Sequence, residues 1–411
     1  MNFKNIKGLF DLPTTYWIVA LIGFINSVSF TIVFPLLYPY AKQFELSDFQ
    51  ASLLLTAFSV SQFIGTPILG RLSDRLGRKP LLIISLLGTV AANIIAAVTP
   101  FAWLLFAARI LDGFTGGNNS IASAVISDIT NAEQRTKAFG IFGSVFSLGL
   151  VIGPALSYLA LQLPTPEGIS SLGLSFLLGA SMALFATVLT AFFLPETLPR
   201  SEKQEFYLSW SDFGLLKIAK SVTRPKLGQL FILTFLNGTT FTIFTFAFQP
   251  FLLKVLEQDV KILTIIFVLV GVIGFISQVF ALDPLRKRFN LIDILFTALF
   301  VRGMTFLLIP TFPNITAFFI IIAVFSLITA FPMPLIESIL SLNSTQKEQG
   351  EVLGTNISYL SLANALGPAI SGLLVTLGYL APFWITGVLT VCTALFALQL
   401  KSQFRCNVGN G

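Results

Sequence analysis

The sequence predicts an all-α membrane protein with twelve transmembrane helices arranged as two related six-helix bundles. Three observations predict this fold class: an apolar composition, twelve long apolar segments, and a pattern repeated between the two halves. Of the 411 residues, 55% are hydrophobic and only 11% are charged, whereas soluble domains carry about 25% charged residues. The 43 phenylalanines suit a surface that faces lipid. Histidine, the commonest metal ligand and general base, is absent.

Twelve apolar segments are long enough to cross the hydrocarbon core of a bilayer as helices, which takes about 20 residues. The first six cover residues 16–40, 50–70, 80–99, 101–127, 137–160 and 171–194. The other six cover residues 227–253, 261–282, 290–310, 314–340, 351–377 and 380–400. The first segment is too long for a signal peptide, so we expect it to remain as a helix. We therefore predict a six-helix bundle in residues 1–194, a cytoplasmic linker over 195–226 and a second bundle in 227–411.

Positive charge is distributed unequally between the loops on the two sides of the membrane. With the N-terminus inside, 20 of the 25 Lys and Arg residues fall in cytoplasmic segments. Lys42, Lys254 and Lys261 fall on the opposite side, and Arg109 and Arg302 lie within the apolar segments. The positive-inside rule then places both termini in the cytoplasm, with the protein in the cell (inner) membrane. This bias accounts for the net charge of +6, so we expect no nucleic-acid partner.

The two halves share a pattern in their fifth segments. A shift of 214 positions aligns GIFGSVFSLGLVIGPALS (140–157) with GTNISYLSLANALGPAIS (354–371), and eight of the eighteen pairs are identical. The identical pairs include Gly153 with Gly367 and Pro154 with Pro368. Chance similarity is the alternative, but apolar bias alone does not place a Gly-Pro pair in register. Internal repeats are typical of transporters, and small residues with proline suit helices that pack closely and bend.

The stretch GRLSDRLGRKP (70–80) concentrates charge between two apolar segments. It resembles the loop between helices 2 and 3 of the major facilitator superfamily, and the whole chain resembles that superfamily's drug:proton antiporters of the tetracycline-efflux type. The resemblance implies a cytoplasmic charge network that holds one conformation and breaks in the other. Its residues would be Gly70, Asp74, Arg75, Gly77, Arg78 and Lys79, with Asp128, Glu133 and Arg135 from the next cytoplasmic loop. A topology anchor, the alternative, would not explain Asp74, and the second-half copy, with Lys287 at the Asp74 position, should form a weaker network.

Arg109 and Asp112 lie inside the fourth segment, where an ionisable group is costly unless it is paired or hydrated. Arg109, Asp112, Gly116 and Asn119 follow helical spacing, so they should share one face, and that face should be exposed to water. The resemblance implies that Arg109, with Gly113 after it, takes part in proton transfer, and we expect Asp112 to accept the proton. A permanent salt bridge with a structural role is the alternative.

Two departures from the antiporter pattern weaken the expectation of proton coupling. The fifth segment matches the family's helix-packing motif at Gly149, Gly153 and Pro154, but Ser157 and Tyr158 replace its closing glycine pair. Asn26 stands where tetracycline exporters usually carry aspartate. An asparagine side chain cannot carry a proton at neutral pH.

Two more charged residues fall within apolar segments. Glu337, in the tenth segment, is a second candidate for the proton site, with snorkelling of its carboxylate to the membrane surface as the alternative. Arg302, midway along the ninth segment, is expected to have a structural role and to pair with an acid on another helix.

Polar residues in the cavity-lining helices are the candidates for substrate contact. In the superfamily, helices 1, 4, 7 and 10 line the cavity, which implies Asn26, Asn119, Asn237 and Gln249 as contact residues. The seventh segment, FLNGTTFTIFTFAFQPF, mixes phenylalanine with these polar groups. Such a wall suits a small amphipathic molecule, although lipid-facing phenylalanine is the ordinary explanation for most of the rings.

The leading hypothesis is a monomeric secondary transporter that exports a small amphipathic or drug-like solute in exchange for protons, by alternating access. A facilitator or symporter of a small nutrient is the alternative within transport, and a membrane sensor is the alternative outside it. We expect no enzyme, because the sequence shows no catalytic constellation. No metal or other cofactor is expected, and the absence of a GxxxxGK[ST] loop argues against an ATP-driven pump.

Overall fold

The computed structural model describes residues 12–199, 218, 221–224, 226–345 and 348–404, and the side chains of residues 132, 133, 136 and 146 lie outside that description. Within these ranges the regular secondary structure is helical. The first half contains α1 Thr14–Thr31, α2 Leu37–Gln43, α3 Asp48–Leu76, α4 Arg78–Val98, α5 Ala102–Thr115, α6 Asn118–Ile129, α7 Ala132–Ala160 and α8 Leu174–Phe193. The second half contains α9 Leu227–Lys254, α10 Val260–Phe280, α11 Leu282–Arg288, α12 Leu291–Thr311, α13 Ile315–Thr329, α14 Pro332–Leu342, α15 Gln349–Thr376 and α16 Ala381–Gln399, with a 3₁₀ turn at Leu400–Ser402.

The helices reproduce the twelve predicted segments to within six residues at every end. Eleven helices of the described chain are long and apolar enough to cross a membrane. The fourth predicted segment is missing from that set because Gly116 and Gly117 divide it into α5 and α6. These two pieces together cover residues 102–129, which is enough for one crossing.

The tenth segment is also broken, at the place that corresponds in the other half to the break in the fourth segment. Helix α13 ends at Thr329, and α14 begins at Pro332. Proline has no backbone N–H and is favoured in the first turn of a helix, so it begins a new helix here. Discontinuous helices within the membrane are typical of transporters, because the backbone groups freed at the break can contact ions or substrates.

The chain divides into two compact units, Met1–Tyr40 with Val60–Ser209 and Ala41–Ser59 with Trp210–Gly411. The start of α3 therefore belongs to unit 2, although its sequence precedes most of unit 1. Within unit 2, the Tyr379 hydroxyl donates to Oδ2 of Asp48 at 3.1 Å. Gly372 of α15 has no side chain, which lets the Ser52 side chain of α3 approach closely.

Each unit has its own apolar core. In unit 1, α1 packs against α7 and α8, and α4 packs against α5 and α8. In unit 2, α9 packs against α15 and α16, and α12 packs against α16. The Tyr16 hydroxyl anchors α1 to α7 by donating to the main-chain oxygen of Ala138 at 2.8 Å. Burial of these apolar faces positions the polar side chains inside each unit.

The internal repeat is present in the structure as matching contacts between helices. In unit 1, the Thr31 hydroxyl donates to the oxygen of Gly149 at 2.7 Å, and the Ser157 hydroxyl donates to the oxygen of Ile32. In unit 2, the Thr242 hydroxyl donates to the oxygen of Ala363 at 3.2 Å, and the Ser371 hydroxyl donates to the oxygen of Ile243 at 2.8 Å. The positions on α7 and α15 are those that the shift of 214 aligns. A Cβ added at Gly153 would meet the Thr31 side chain, and one added at Gly367 would meet the Thr242 side chain.

Candidate functional site

The ionisable pair of the fourth segment is buried at the end of α5. Nη1 of Arg109 lies 2.7 Å from Oδ2 of Asp112, and their side chains are only 6% and 9% exposed. The Thr89 side chain on α4 lies close to the Asp112 carboxylate. The pair is thus enclosed by protein, whereas the sequence predicted a face exposed to water. The i, i+3 spacing on a helix explains why the two groups meet.

The predicted polar stripe does not continue past the helix break. Because α5 ends at Thr115 and α6 begins at Asn118, Asn119 no longer lies on a helical face continuous with Arg109. Asn118 is the more buried of the two asparagines, and its Nδ2 donates to Oδ1 of Asn26 at 3.0 Å. The break changes the direction of the α6 side chains, which spacing along a continuous helix cannot anticipate.

The backbone groups that the break frees are satisfied by neighbouring helices. Nε2 of Gln62 on α3 donates to the oxygen of Gly116 at 3.3 Å, and the Ser85 hydroxyl on α4 donates to the oxygen of Thr115. Gly65 on α3 has no side chain, which lets the main-chain oxygen of Phe114 approach. Satisfaction by neighbouring side chains is what makes a broken helix tolerable in the membrane.

A second polar cluster, the Arg78 cluster, forms where α3 meets α4. Nη1 of Arg78 contacts Oδ1 of Asp74 at 2.5 Å and Oγ of Ser73 at 2.7 Å, and its Nε lies 3.1 Å from Oδ2 of Asp128. Glu196, which follows α8, accepts from the backbone N–H groups of Arg78 and Lys79 at 2.9 and 3.3 Å. A carboxylate at this position also interacts favourably with the positive end of the α4 dipole.

The Arg78 cluster differs in its membership from the predicted network. Sequence reasoning centred the network on Asp74 and missed Glu196, which lies 118 residues from Arg78. Glycine is required at position 77 for Glu196 to approach the start of α4. Its φ is +114°, and a Cβ there would meet the Glu196 carboxylate. The sequence offered one signal for Glu196: it is an acid directly after the sixth apolar segment, on the predicted cytoplasmic side where Arg78 also lies.

Three other predicted network residues, Gly70, Arg75 and Arg135, lie outside this cluster. Arg75 is exposed, and Gly70 makes no close approach, because a Cβ added there would have nothing within 4 Å. Nη2 of Arg135 donates to the oxygens of Ser127 and Thr130 at 2.9 and 3.2 Å, where it stabilises the end of α6. The side chain of Glu133 lies outside the described residues.

The second half has no comparable cluster in the part that the structure describes. Helix α11 carries Asp283 and three cations, and none of them forms an ion pair with a described residue. Unit 2 instead has separate exposed pairs, Arg224 with Glu351 and Lys401 with Asp293. This agrees with the expectation of a weaker network from the eroded motif.

Arg302 and Glu337 occupy opposite environments in unit 2. Arg302 is 1% exposed, and its Nη2 donates to the oxygen of Asn237 at 3.4 Å and to Oγ1 of Thr240 at 3.2 Å. The acid on another helix that the sequence predicted for Arg302 is not found among the described residues, whose contacts to Arg302 are all neutral. Glu337 on α14 is exposed.

The candidate substrate residues are mostly enclosed. Asn26 is 8% exposed, Asn237 is 5% and Gln249 is 1%, whereas Asn119 is half-buried. Nε2 of Gln249 donates to the oxygen of Thr245 at 3.1 Å, within its own helix. Some phenylalanines of α9 are packed inside unit 2. The ring of Phe244 stacks on that of Phe306 of α12, with ring centroids 4.6 Å apart.

Comparisons with known proteins agree with this architecture. The family model described as Major Facilitator Superfamily matches residues 19–281 and 230–403. The tetracycline resistance protein, class C, of Escherichia coli is 28% identical over 387 residues, 91% of this chain and 94% of that protein. Multidrug resistance protein 2 of Bacillus subtilis (strain 168) is 27% identical over 405 residues, 94% of each chain.

Solved structures share the fold at low sequence identity. The human organic anion transporter MFSD10 (TETRAN) aligns with a TM-score of 0.70 and 21% identity, over 94% of this chain and 100% of that one. The peptide transporter POT aligns with a TM-score of 0.75 and 15% identity, over 95% of each chain. The predicted twelve-helix fold class is confirmed, and the matched family consists of transporters rather than enzymes. The chain therefore belongs to the Major Facilitator Superfamily and is a multi-pass membrane transporter of small molecules.

Proposed function

We propose that this transporter exports a small amphipathic, drug-like solute in exchange for protons, by alternating access, as a monomer in the inner membrane with both termini cytoplasmic. The observation that carries the proposal is the buried Arg109–Asp112 pair beside a break in the membrane helix. The relatives named as tetracycline and multidrug resistance proteins support the direction and the substrate class.

The buried pair is suited to respond to one proton. With Asp112 ionised, the two charges cancel across a 2.7 Å contact. A proton on Asp112 removes the negative charge that lies 2.7 Å from the buried Arg109 guanidinium, and loss of that charge in a low-dielectric site costs several kcal/mol. Protonation therefore favours a different packing of this region, and α5 can move separately from α6 because the chain between them is not helical. Such a two-state element is what proton coupling requires.

Glu337 is the second proposed proton site. Glu337 is an exposed residue of α14, and in this scheme protons reach it without a large rearrangement. In this scheme Asp112 drives the conformational change, and Glu337 contributes a second titratable charge on α14. Asn26 contributes no charge, because it is neutral and bonded to Asn118.

The Arg78 cluster is proposed to act as the cytoplasmic gate element of unit 1. Three acids contact Arg78. Asp74 and Asp128 pair with its guanidinium, and Glu196 accepts a hydrogen bond from its backbone N–H. A topology anchor needs only the cations, so the acids point to a cluster that fixes the relative positions of α3, α4 and α6. Asp74 and Asp128 are the members whose loss would release Arg78.

Transport by reconstituted protein tests the proposal. Proteoliposomes with an imposed pH gradient should accumulate a tetracycline, and Asp112→Asn should abolish this gradient-driven uptake while retaining tetracycline counterflow without a gradient. Asp293→Asn is the matched control, because Asp293 is an exposed acid paired with Lys401 on the surface, and it should leave both activities unchanged. Unchanged gradient-driven transport in Asp112→Asn would exclude Asp112 from the coupling mechanism.

A facilitator or symporter of a small nutrient is the second candidate. It is favoured by Asn26, which replaces a carboxylate with a neutral hydrogen bond to Asn118. Counterflow in the wild-type protein with no response to a pH gradient would support the facilitator, and co-accumulation of solute and protons would support the symporter. Absence of any solute movement across a broad panel would instead favour the sensor.

A further inference from the structure

Arg302 is a buried cation that the proposed proton mechanism does not use. It lies near the middle of α12 and is 1% exposed. Its two hydrogen bonds, to the main-chain oxygen of Asn237 and to Oγ1 of Thr240, are 3.4 and 3.2 Å long. Its Nε has no hydrogen-bond partner in the described part of the chain. No described acid forms an ion pair with it.

These contacts do not compensate the charge. An arginine side chain stays protonated in proteins, and N–H···O bonds of good geometry are 2.7–3.2 Å long, so both bonds are at or beyond the upper limit. A buried cation without an anion is costly in a membrane protein, and such residues mark ligand or ion sites. The planar guanidinium is matched in geometry to a carboxylate.

Asn237, on the facing helix α9, supplies a second unused polar group. It is 5% exposed. Its side-chain amide makes no hydrogen bond in the described residues, and Oδ1 is buried without a partner. The amide therefore has two N–H donors available for a ligand. Arg302 supplies a positive charge, and Asn237 supplies a neutral donor. The two residues are neighbours, because Nη2 of Arg302 donates to the main-chain oxygen of Asn237.

An aromatic cluster begins one turn farther along both helices. Phe306 follows Arg302 by four residues, and Phe244 follows Thr240 by four. The rings of Phe244 and Phe306 stack at a centroid distance of 4.6 Å, and Phe325 of α13 lies 4.7 Å from Phe244. Polar and aromatic groups thus occur in sequence along the same pair of helices, and the three rings are buried and packed on one another. This order matches the order of groups in an amphipathic ligand with one charged end.

We propose that Arg302 and Asn237 form an anion-binding subsite within unit 2 that takes the carboxylate of a small aromatic anion, with the ring of the ligand against Phe244, Phe306 and Phe325. The inference rests on the proposed function, transport of an amphipathic solute, and adds that this solute carries a negative charge. It does not depend on proton coupling or on the direction of transport.

The test is equilibrium binding to purified full-length protein in nanodiscs of zwitterionic lipid, without transport. Three probes separate the features of the ligand: salicylate has both charge and ring, acetate has only the charge, and benzyl alcohol has only the ring. We expect salicylate to bind at least about tenfold more tightly than either of the others, because both parts of the site contribute. Equal binding of salicylate and benzyl alcohol would overturn the proposal.

Variants assign the binding to Arg302. Arg302→Gln should weaken salicylate binding by about 30-fold or more and leave benzyl alcohol binding unchanged, whereas Arg302→Lys should keep part of the affinity. Arg288→Gln, on exposed α11, is the matched control and should have no effect. Retention of salicylate affinity in Arg302→Gln, or an equal loss for both probes, would show a structural role only. If Arg302→Gln does not fold, Asn237→Ala decides, with an expected loss of about fivefold for salicylate alone.

The binding test and the transport test fail separately. Loss of the salicylate preference with intact gradient-driven tetracycline transport would refute the anion subsite and leave the exporter. A salicylate preference that needs Arg302, in a protein without gradient-driven transport, would support the subsite and refute proton-driven export.

Discussion

The two units use the same scaffold for different chemistry. The hydroxyl and glycine contacts that join α1 to α7 recur between α9 and α15. The polar interiors differ. In unit 1, Thr89 is the twelfth residue of α4 and Asp112 is the eleventh of α5, and their side chains lie close together. In unit 2, the residues at the same count from the first residue of α12 and of α13 are Arg302 and Phe325.

The difference shows how a duplicated fold can divide its tasks. Packing contacts depend on backbone geometry, so they remain in both copies when the rest of the helix changes. Unit 1 keeps its buried cation paired with an acid, and unit 2 keeps its buried cation beside an aromatic cluster. Our proposals follow this division: proton handling in unit 1 and recognition of an anionic, aromatic solute in unit 2.

The largest expected effect comes from breaking the buried pair of unit 1. Asp112→Leu should lower the free energy of unfolding by about 3 kcal/mol, because it removes the carboxylate that contacts the buried Arg109 guanidinium. The double variant Arg109→Leu/Asp112→Leu should recover most of that loss, since it removes both charges. Equilibrium unfolding in detergent measures the values. Equal destabilisation by the single and double variants would show that the charges are not coupled.

A smaller effect is expected from the Arg78 cluster. Arg78→Ala should cost about 2 kcal/mol, because it leaves Asp74 and Asp128 close together without their shared cation. Arg286→Ala, in the corresponding loop of unit 2, should cost less than about 0.5 kcal/mol, because Arg286 has no ion pair among the described residues. Unfolding titrations of both variants would test the asymmetry, and similar costs would contradict it.

The shared packing should respond alike in both units. Gly153→Ala and Gly367→Ala should each cost about 1–2 kcal/mol, because the added methyl meets the facing threonine side chain. Gly140→Ala and Gly354→Ala, at aligned positions with nothing within 4 Å, are matched controls and should be neutral or stabilising by up to about 1 kcal/mol. Thermal unfolding of the four variants provides the comparison. A loss in only one unit would show that the repeat is not equivalent in its packing.

The smallest effect concerns pH and the loop after α15 in unit 2. Burial, and then the neighbouring Asp48 carboxylate, raises the pKa of Tyr379 above its ordinary value of 10.0. Because the folded-state pKa exceeds the unfolded one, this contribution to stability is complete below pH 10 and decreases as the pH rises further. Tyr379→Phe should remove that part of the pH dependence. Melting temperatures between pH 9 and pH 11.5 should decrease less steeply in the variant, and identical slopes would exclude the effect.

The sequence was sufficient for the membrane-spanning segments and for their number, because a bilayer requires about 20 consecutive apolar residues and few other patterns provide them. It was also sufficient for the repeat, since Gly153 and Gly367 are needed where helices approach most closely. It did not predict the break at Gly116 and Gly117, because two glycines inside a helical pattern are tolerated in some membrane helices and end others. That break is why Asn118, and not Asn119, is bonded to Asn26.

Composition and periodicity by themselves determined that this chain crosses a membrane twelve times in two related halves, because solvation by lipid acts on each segment locally. Only the tertiary structure decided which polar groups meet. Glu196 reaches Arg78 from the end of the sixth span, and Arg302 contacts Asn237 and Thr240 instead of an acid. These pairings depend on how separate helices pack, and no local pattern records the neighbour that a buried side chain will have.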